Sequence, residues 1–269
     1  MSQSDLQKDC MKRPLDILLP VIVAALVLGA WEWAVAHWQV PVYVLPAPSA
    51  IARAFADNFT SLMLSLFSTL IVTVQAFFAA CILGVATAIA FSQSRLLERT
   101  LYPYAVVLQV TPVVAIAPLL LIYLPQQAAV VACAWIVAFF PVLANTTLGL
   151  NSVDKNLGDL FRLYGASPGQ KLLFLKLPSA LPYILGGLKI AGGLSLIGAV
   201  VAEIAAGSAG AGSGLAFRIA ESGYRLNIPR MFAALLLLSA TGIVIFIALS
   251  LLSHVMLRRW HESALGKES

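Results

Sequence analysis

Charge is what this chain lacks. Asp, Glu, Lys and Arg together make up 11% of its 269 residues, where a soluble globular domain carries about a quarter. None of the four occurs from Asn58 to Ser94, from Thr100 to Val153, or from Met231 to Leu257. Gaps of that length exclude a soluble domain and make the lipid bilayer the solvent. A hydrophobic content of 60% and a mean hydropathy of +0.91 agree. Cysteine is scarce as well. Cys10, Cys81 and Cys133 have no metal-ligand spacing, and two of them fall inside apolar runs. Neither a disulfide framework nor a metal centre is expected.

The uncharged run from Thr100 to Val153 is too long for a single helix crossing a core of about 30 Å at roughly 1.5 Å per residue. It reads as two spans joined at Leu124-Pro125-Gln126-Gln127, where a proline and two amides interrupt the apolar pattern. The fold class expected is therefore all-α, a polytopic membrane protein forming one transmembrane domain over residues 1–269. Six transmembrane helices are predicted at about Leu15–Ala36, Ser61–Phe91, Leu101–Tyr123, Ala128–Leu150, Tyr183–Ala206 and Met231–Leu257. With the N-terminus placed inside, the outer segments hold only Arg53, Arg218, Arg225 and Arg230 of the 17 lysines and arginines. That bias puts both termini in the cytoplasm. The net charge of +5 is then a matter of topology and gives no reason to expect nucleic acid. The first span follows Lys12-Arg13 but is longer than a signal-peptide core and has no small-x-small cleavage site. It reads as a retained anchor with Trp31 and Trp33 at the outer interface.

Catalytic chemistry is missing too. The stretch Gly165 to Lys171 resembles a phosphate loop only on the surface, because it has the wrong glycine spacing and Leu172 follows the lysine. His37 falls outside, whereas His254 and His261 fall inside, so no histidine cluster can hold a metal. No Ser-His-Asp set converges on one side. The chain is expected to be neither an enzyme nor the holder of a cofactor.

What is present is a polar interruption from Asp154 to Pro182, within a cytoplasmic loop of about residues 152–180. Leu157, Leu160, Phe161 and Tyr164 recur at i, i+3, i+4 and i+7, with Lys155, Asp159 and Arg162 on the opposite side. That pattern predicts a short amphipathic helix ended by Gly165. Ser167, Pro168 and Gln170 carry the start signals of a second helix, which Pro178 and Pro182 end ahead of the fifth span. The hairpin either lies on the membrane surface or docks a soluble partner.

Outside the membrane, Ser49 begins a predicted interfacial helix. A glycine-rich stretch from Gly207 to Gly214 leads to a second one, about Leu215 to Glu221. In the fifth span Gly187, Ala191, Ser195 and Ala199 form a ridge of small residues that continues to Glu203. Such a ridge permits close helix packing, or it lines a solute path in which a carboxylate is wetted. Glu32, Gln75, Gln109, Thr111 and Asn145 are the other polar residues within spans. Of these, Gln109, Thr111 and Asn145 join Ser195 and Glu203 as candidate pathway residues. Thr111-Pro112 and Pro118 are expected to bend the third span.

Several segments together resemble one family. They are Gly165-Ala166-Ser167 followed by Leu177-Pro178-Ser179-Ala180-Leu181-Pro182, Val44 to Ser49, Ser94 to Arg99, Thr111 to Leu119, Phe140 to Thr146, and Ala202-Glu203. The set resembles permease subunits of binding-protein-dependent ABC importers, in the nitrate/sulfonate/taurine branch, over nearly the whole chain. The resemblance implies a membrane permease pairing with a second copy in a bacterial inner membrane. It further implies two ATPase subunits that bind the ATP and a periplasmic binding protein that delivers a small solute. Nitrate-like, sulfonate-like and pyrimidine- or vitamin-precursor-like solutes all fit it. The residues carried over for ATPase coupling are Leu157, Asp159, Leu160, Phe161, Arg162, Tyr164, Gly165, Ala166 and Ser167. Two departures stand out. Asp159-Leu160-Phe161 replaces the family's usual Glu-Ala-Ala, and Leu124 to Gln127 replaces an aromatic- and glycine-rich turn. The rival classes are a secondary transporter, which predicts inverted repeats and midplane ionisable residues, and a membrane scaffold without a pathway.

Overall fold

The computed structural model describes residues 3–207 and 213–258. Among them every regular element is helical: α1 (Gln3–His37), α2 (Pro48–Asp57), α3 (Phe59–Gln93), α4 (Arg95–Val110), α5 (Val113–Tyr123), α6 (Gln126–Asn151), α7 (Lys155–Leu163), α8 (Pro168–Lys171), a π-helical turn (Leu172–Lys176), α9 (Leu177–Ala206), α10 (Leu215–Tyr224) and α11 (Ile228–Leu257). Five stretches are long and apolar enough to cross a membrane: Leu18–His37, α3, α6, Pro168–Ala206 and α11. Both predicted surface helices form, as α2 and α10. The middle of the glycine-rich stretch, residues 208–212, and the basic residues after Arg258 lie outside the described residues.

The expected third span is not one helix. α4 and α5 meet at a bend of 100°. Thr111 caps α4 with an extended backbone (φ −72°, ψ 124°), and Pro112 is extended as well (φ −63°, ψ 117°). Proline pushes the residue before it out of the helical region and offers no donor of its own. Two extended residues in succession therefore redirect the chain, where a softer kink had been expected. The predicted turn before α6 is in place, between Tyr123 and Gln126.

The second difference is the reverse. Pro178 and Pro182 do not end a helix, because Pro168–Ala206 is continuous. The π-helical turn, in which the Leu177 N–H donates to Leu172 O, lies immediately before Pro178. A widened turn displaces the carbonyl one turn back that a proline ring would otherwise strike. The helix absorbs Pro178 there.

The chain forms two compact units. One comprises α1, α2 and residues 219–234; the other comprises residues 61–218 and the rest of α11. In the first, the Glu32 carboxylate of α1 accepts from Ser49 N at 3.0 Å and Ser49 Oγ at 2.7 Å. This ties α2 to α1 through the free N–H groups at the start of α2. Trp33 stacks on His37 at 4.8 Å and meets Trp38 edge-on.

In the second unit α6 and α9 run antiparallel in close contact. A Cβ added at Gly149 would lie 2.8 Å from Tyr183 Cβ, one at Gly187 2.9 Å from Asn145 Cβ, and one at Gly198 2.7 Å from Ala134 Cα. Ala191, Ser195 and Ala199 are fully buried. The small-residue ridge is thus a packing seam, where backbone approach replaces side-chain bulk. α3 joins through Gly84, whose added Cβ would lie 2.9 Å from Val142. Two buried clusters result. One centres on Ala80, Phe91, Ala138, Leu143 and Leu150; the other centres on Val72, Ala76, Cys133, Ala134 and Ala202.

Candidate functional site

The segment between α6 and α9 is built almost entirely from local hydrogen bonds. Asp154 caps α7, its carboxylate accepting from Asn156 N at 2.7 Å. At the other end Gly165 takes φ +65°. Its N–H donates to Arg162 O at 3.1 Å, and the Ala166 N–H donates to Phe161 O at 2.9 Å. This paired pattern closes a helix through a left-handed residue, so Gly165 and Ala166 complete the end of α7. Ser167 opens the next helix with the predicted reciprocal pair. Gln170 N donates to Ser167 Oγ at 3.3 Å, and Ser167 N donates to Gln170 Oε1 at 2.8 Å. Lys171 Nζ then donates to Gly158 O at 3.3 Å, pinning the second helix to the first.

This rigid hairpin leaves its apolar residues uncovered. No residue of α7 is buried. Leu157 is 47% exposed, Leu160 45% and Tyr164 83%, while Phe161 is half-buried. Leu163, 84% exposed, extends the same arc and was missed by the sequence pattern. Its position three residues after Leu160 is the signal that would have found it. Asp159 and Arg162 are exposed beside the arc. The arrangement is a preorganised apolar ridge with a charged border. It suits insertion into a groove of another protein.

The five candidate pathway residues do not converge. Asn145 lies against Gly187, and Gly187 is sixteen residues from Glu203 on α9, or about 24 Å along a helix. Gln109 is exposed on α4. Thr111 Oγ1 donates to Val107 O at 2.6 Å, at the bend. Asn145 Nδ2 donates to Pro141 O at 2.8 Å, and Ser195 Oγ donates to Gly192 O at 2.9 Å. These are bonds within single helices.

Glu203 does something different. It is buried, and its Oε2 accepts from Thr69 Oγ1 and from Ala216 N, both at 3.1 Å. Thr69 Oγ1 in turn accepts from Leu215 N at 2.8 Å. The carboxylate and the hydroxyl together bind the first N–H groups of α10, where a negative charge is favoured. Gly214 leaves room beside them, since a Cβ there would overlap the carboxylate and displace it from these bonds. Thr69, Gly214, Leu215 and Ala216 were not singled out from sequence. Their assembly depends on contacts across more than a hundred residues.

The comparisons with known proteins agree with this architecture. Residues 76–259 match the family described as "Binding-protein-dependent transport system inner membrane component". A formylaminopyrimidine transport permease protein of Halalkalibacterium halodurans is 31% identical over 92% of this chain and 98% of its own length. A probable ABC transporter permease protein of Haemophilus influenzae is 29% identical over 88% of this chain and 96% of its own. A chain in the crystal structure of an amino acid ABC transporter superimposes with a TM-score of 0.60, covering 76% of this chain and 96% of that one at 21% identity. That likeness is one of fold. The secondary-transporter and scaffold alternatives are not favoured by these relatives. An all-helical, multi-pass chain with this match belongs to the binding-protein-dependent transport system inner membrane components, the permease subunits of ABC transporters.

Proposed function

We propose that the chain is the permease of an ATP-driven importer, and that the α7–α8 hairpin is the element through which ATP hydrolysis in a partner subunit moves it. The observation carrying this is the exposed ridge of Leu157, Leu160, Phe161 and Tyr164 on a hairpin whose backbone is fully capped. A rigid lever transmits displacement; a floppy loop dissipates it. Asp159 and Arg162 orient the docked surface, while Gly165, Ala166 and Ser167 hold the angle between the two short helices. Two ATPase subunits bind the ATP, and the chain itself takes no cofactor. A second copy of the permease completes the pathway, surrounded by membrane lipid. A binding protein delivers the solute from the periplasmic side. The lysine and arginine distribution supports placing the hairpin and both termini on the cytoplasmic side of a bacterial inner membrane. Alternating access then follows as rigid-body rocking of the spans, driven by closure of the ATPase pair. Among relatives, the formylaminopyrimidine permease supports a small heteroaromatic solute.

The test is reconstitution with the ATPase and binding protein. Leu160→Asp and Leu163→Asp place charge on the ridge and are expected to weaken ATPase binding by about 2 kcal/mol each, roughly thirtyfold. Unchanged affinity and unchanged coupled hydrolysis in both variants would remove the hairpin as the docking element.

A further inference from the structure

A groove of about 590 Å³ runs between α3 and α6, lined by Gln75, Ala79 and Leu83 on one side and Gln127, Val131 and Trp135 on the other. Its polar groups are unused among the described residues. Gln75 and Gln127 are exposed, and neither has a hydrogen bond to a described residue. Trp135 Nε1 is buried and has no acceptor. Depth makes this costly. Gln75 sits at the midpoint of the 35-residue α3, and Trp135 lies ten residues into the 26-residue α6. The two helices run parallel: Gln75, Ala79 and Leu83 line the groove opposite Gln127, Val131 and Trp135, and Gly84 meets Val142 further along both. Both groups therefore fall near the middle of the hydrocarbon layer, where an amide facing lipid tails is strongly unfavourable.

The geometry points to the α3–α6 groove as the solute-lining face of this permease, taking a neutral planar solute that offers both a donor and an acceptor. This inference rests on the importer reading above and names the solute class for it. An amide presents a donor and an acceptor side by side, and the indole adds a flat apolar face. No Asp, Glu, Lys or Arg lines the groove, so an inorganic anion would enter without a counter-charge. Gln127 stands at the mouth, beside the turn before α6. Trp135 and Gln75 wait at mid-depth.

The experiment uses the complete complex in proteoliposomes, with Cys10, Cys81 and Cys133 replaced by serine. Gln75→Cys is compared with Phe78→Cys, an exposed position on the same helix. A charged thiosulfonate reagent should modify Gln75→Cys at least about tenfold faster, because thiolate formation and reagent access both need water. Equal, slow modification at both positions would mean that lipid or the second permease copy covers the groove, and would overturn the proposal. Uptake of a substituted aminopyrimidine is then measured against uptake of nitrate. Gln75→Leu is expected to lower the maximal rate of heterocycle uptake about tenfold. Wild-type uptake of nitrate alone, or an unaffected Gln75→Leu complex, would overturn the solute class. A wild-type complex that imports nothing with ATP would count against the importer reading, while the labelling still decides whether the groove is wetted.

Discussion

Glu203 looks from sequence like a carboxylate stranded in an apolar helix, and the structure makes it a cap for a distant helix. Its partners are a hydroxyl from α3 and the first N–H groups of α10. The same logic recurs at Glu32, which holds Ser49 at the start of α2. In both cases an acidic residue within a long apolar helix binds the positive end of a short surface helix. Substitution separates charge from shape. Glu203→Gln keeps an acceptor and is expected to lose about 1 kcal/mol. Gly214→Ala drives a methyl group into the carboxylate and is expected to lose about 2 kcal/mol. Thermal unfolding of the purified permease in detergent checks the order; a Gly214→Ala protein as stable as the parent would refute this account of the cap.

Elements were legible where their signals are local. The end of α7 at Gly165, the Ser167–Gln170 box and the turn before α6 were all readable because the chemistry that makes them lies within five residues. The prolines were legible only in part for a related reason: the bend at Thr111-Pro112 formed as expected, whereas Pro178 and Pro182 did not end a helix. Thr111-Pro112 and Pro178 carry the same local signal, yet one site turns the chain by 100° and the other leaves the helix continuous. The difference lies in the preceding residues, extended in one case and π-helical in the other. The α6–α9 seam gives the test at this scale. Gly198→Val must push the backbone of Ala134 away, at an expected cost of about 3 kcal/mol. Gly193→Ala meets nothing within 4 Å and is expected to be neutral or to stabilise by up to about 1 kcal/mol. Paired melting curves in detergent decide it, and equal shifts would argue against the seam.

For the whole molecule, the topology sets which surfaces meet which partner. The proposed docking of the hairpin ridge needs it on the cytoplasmic side, which is the orientation expected from the charge bias. Single cysteines at Arg162 and at Asp57, in a background lacking the native three, are expected to label from opposite sides of sealed vesicles with an impermeant reagent. Labelling from the same side would collapse the six-span scheme, and labelling of position 162 from the outer face would invert it. The family match covers residues 76–259, which includes the second half of α3 and all of the helices from α4 to α11.

Composition alone determined that this chain lives in a membrane, because no water-exposed fold can carry uncharged runs of that length. Local spacing determined its short helices and their caps, since those bonds join near neighbours. Only the tertiary structure decided what the polar residues in the spans do. It put the side chains of Ser195 and Glu203 into internal bonds and left those of Gln75 and Trp135 without any among the described residues. Polarity shows in the sequence; partnership across a hundred residues does not.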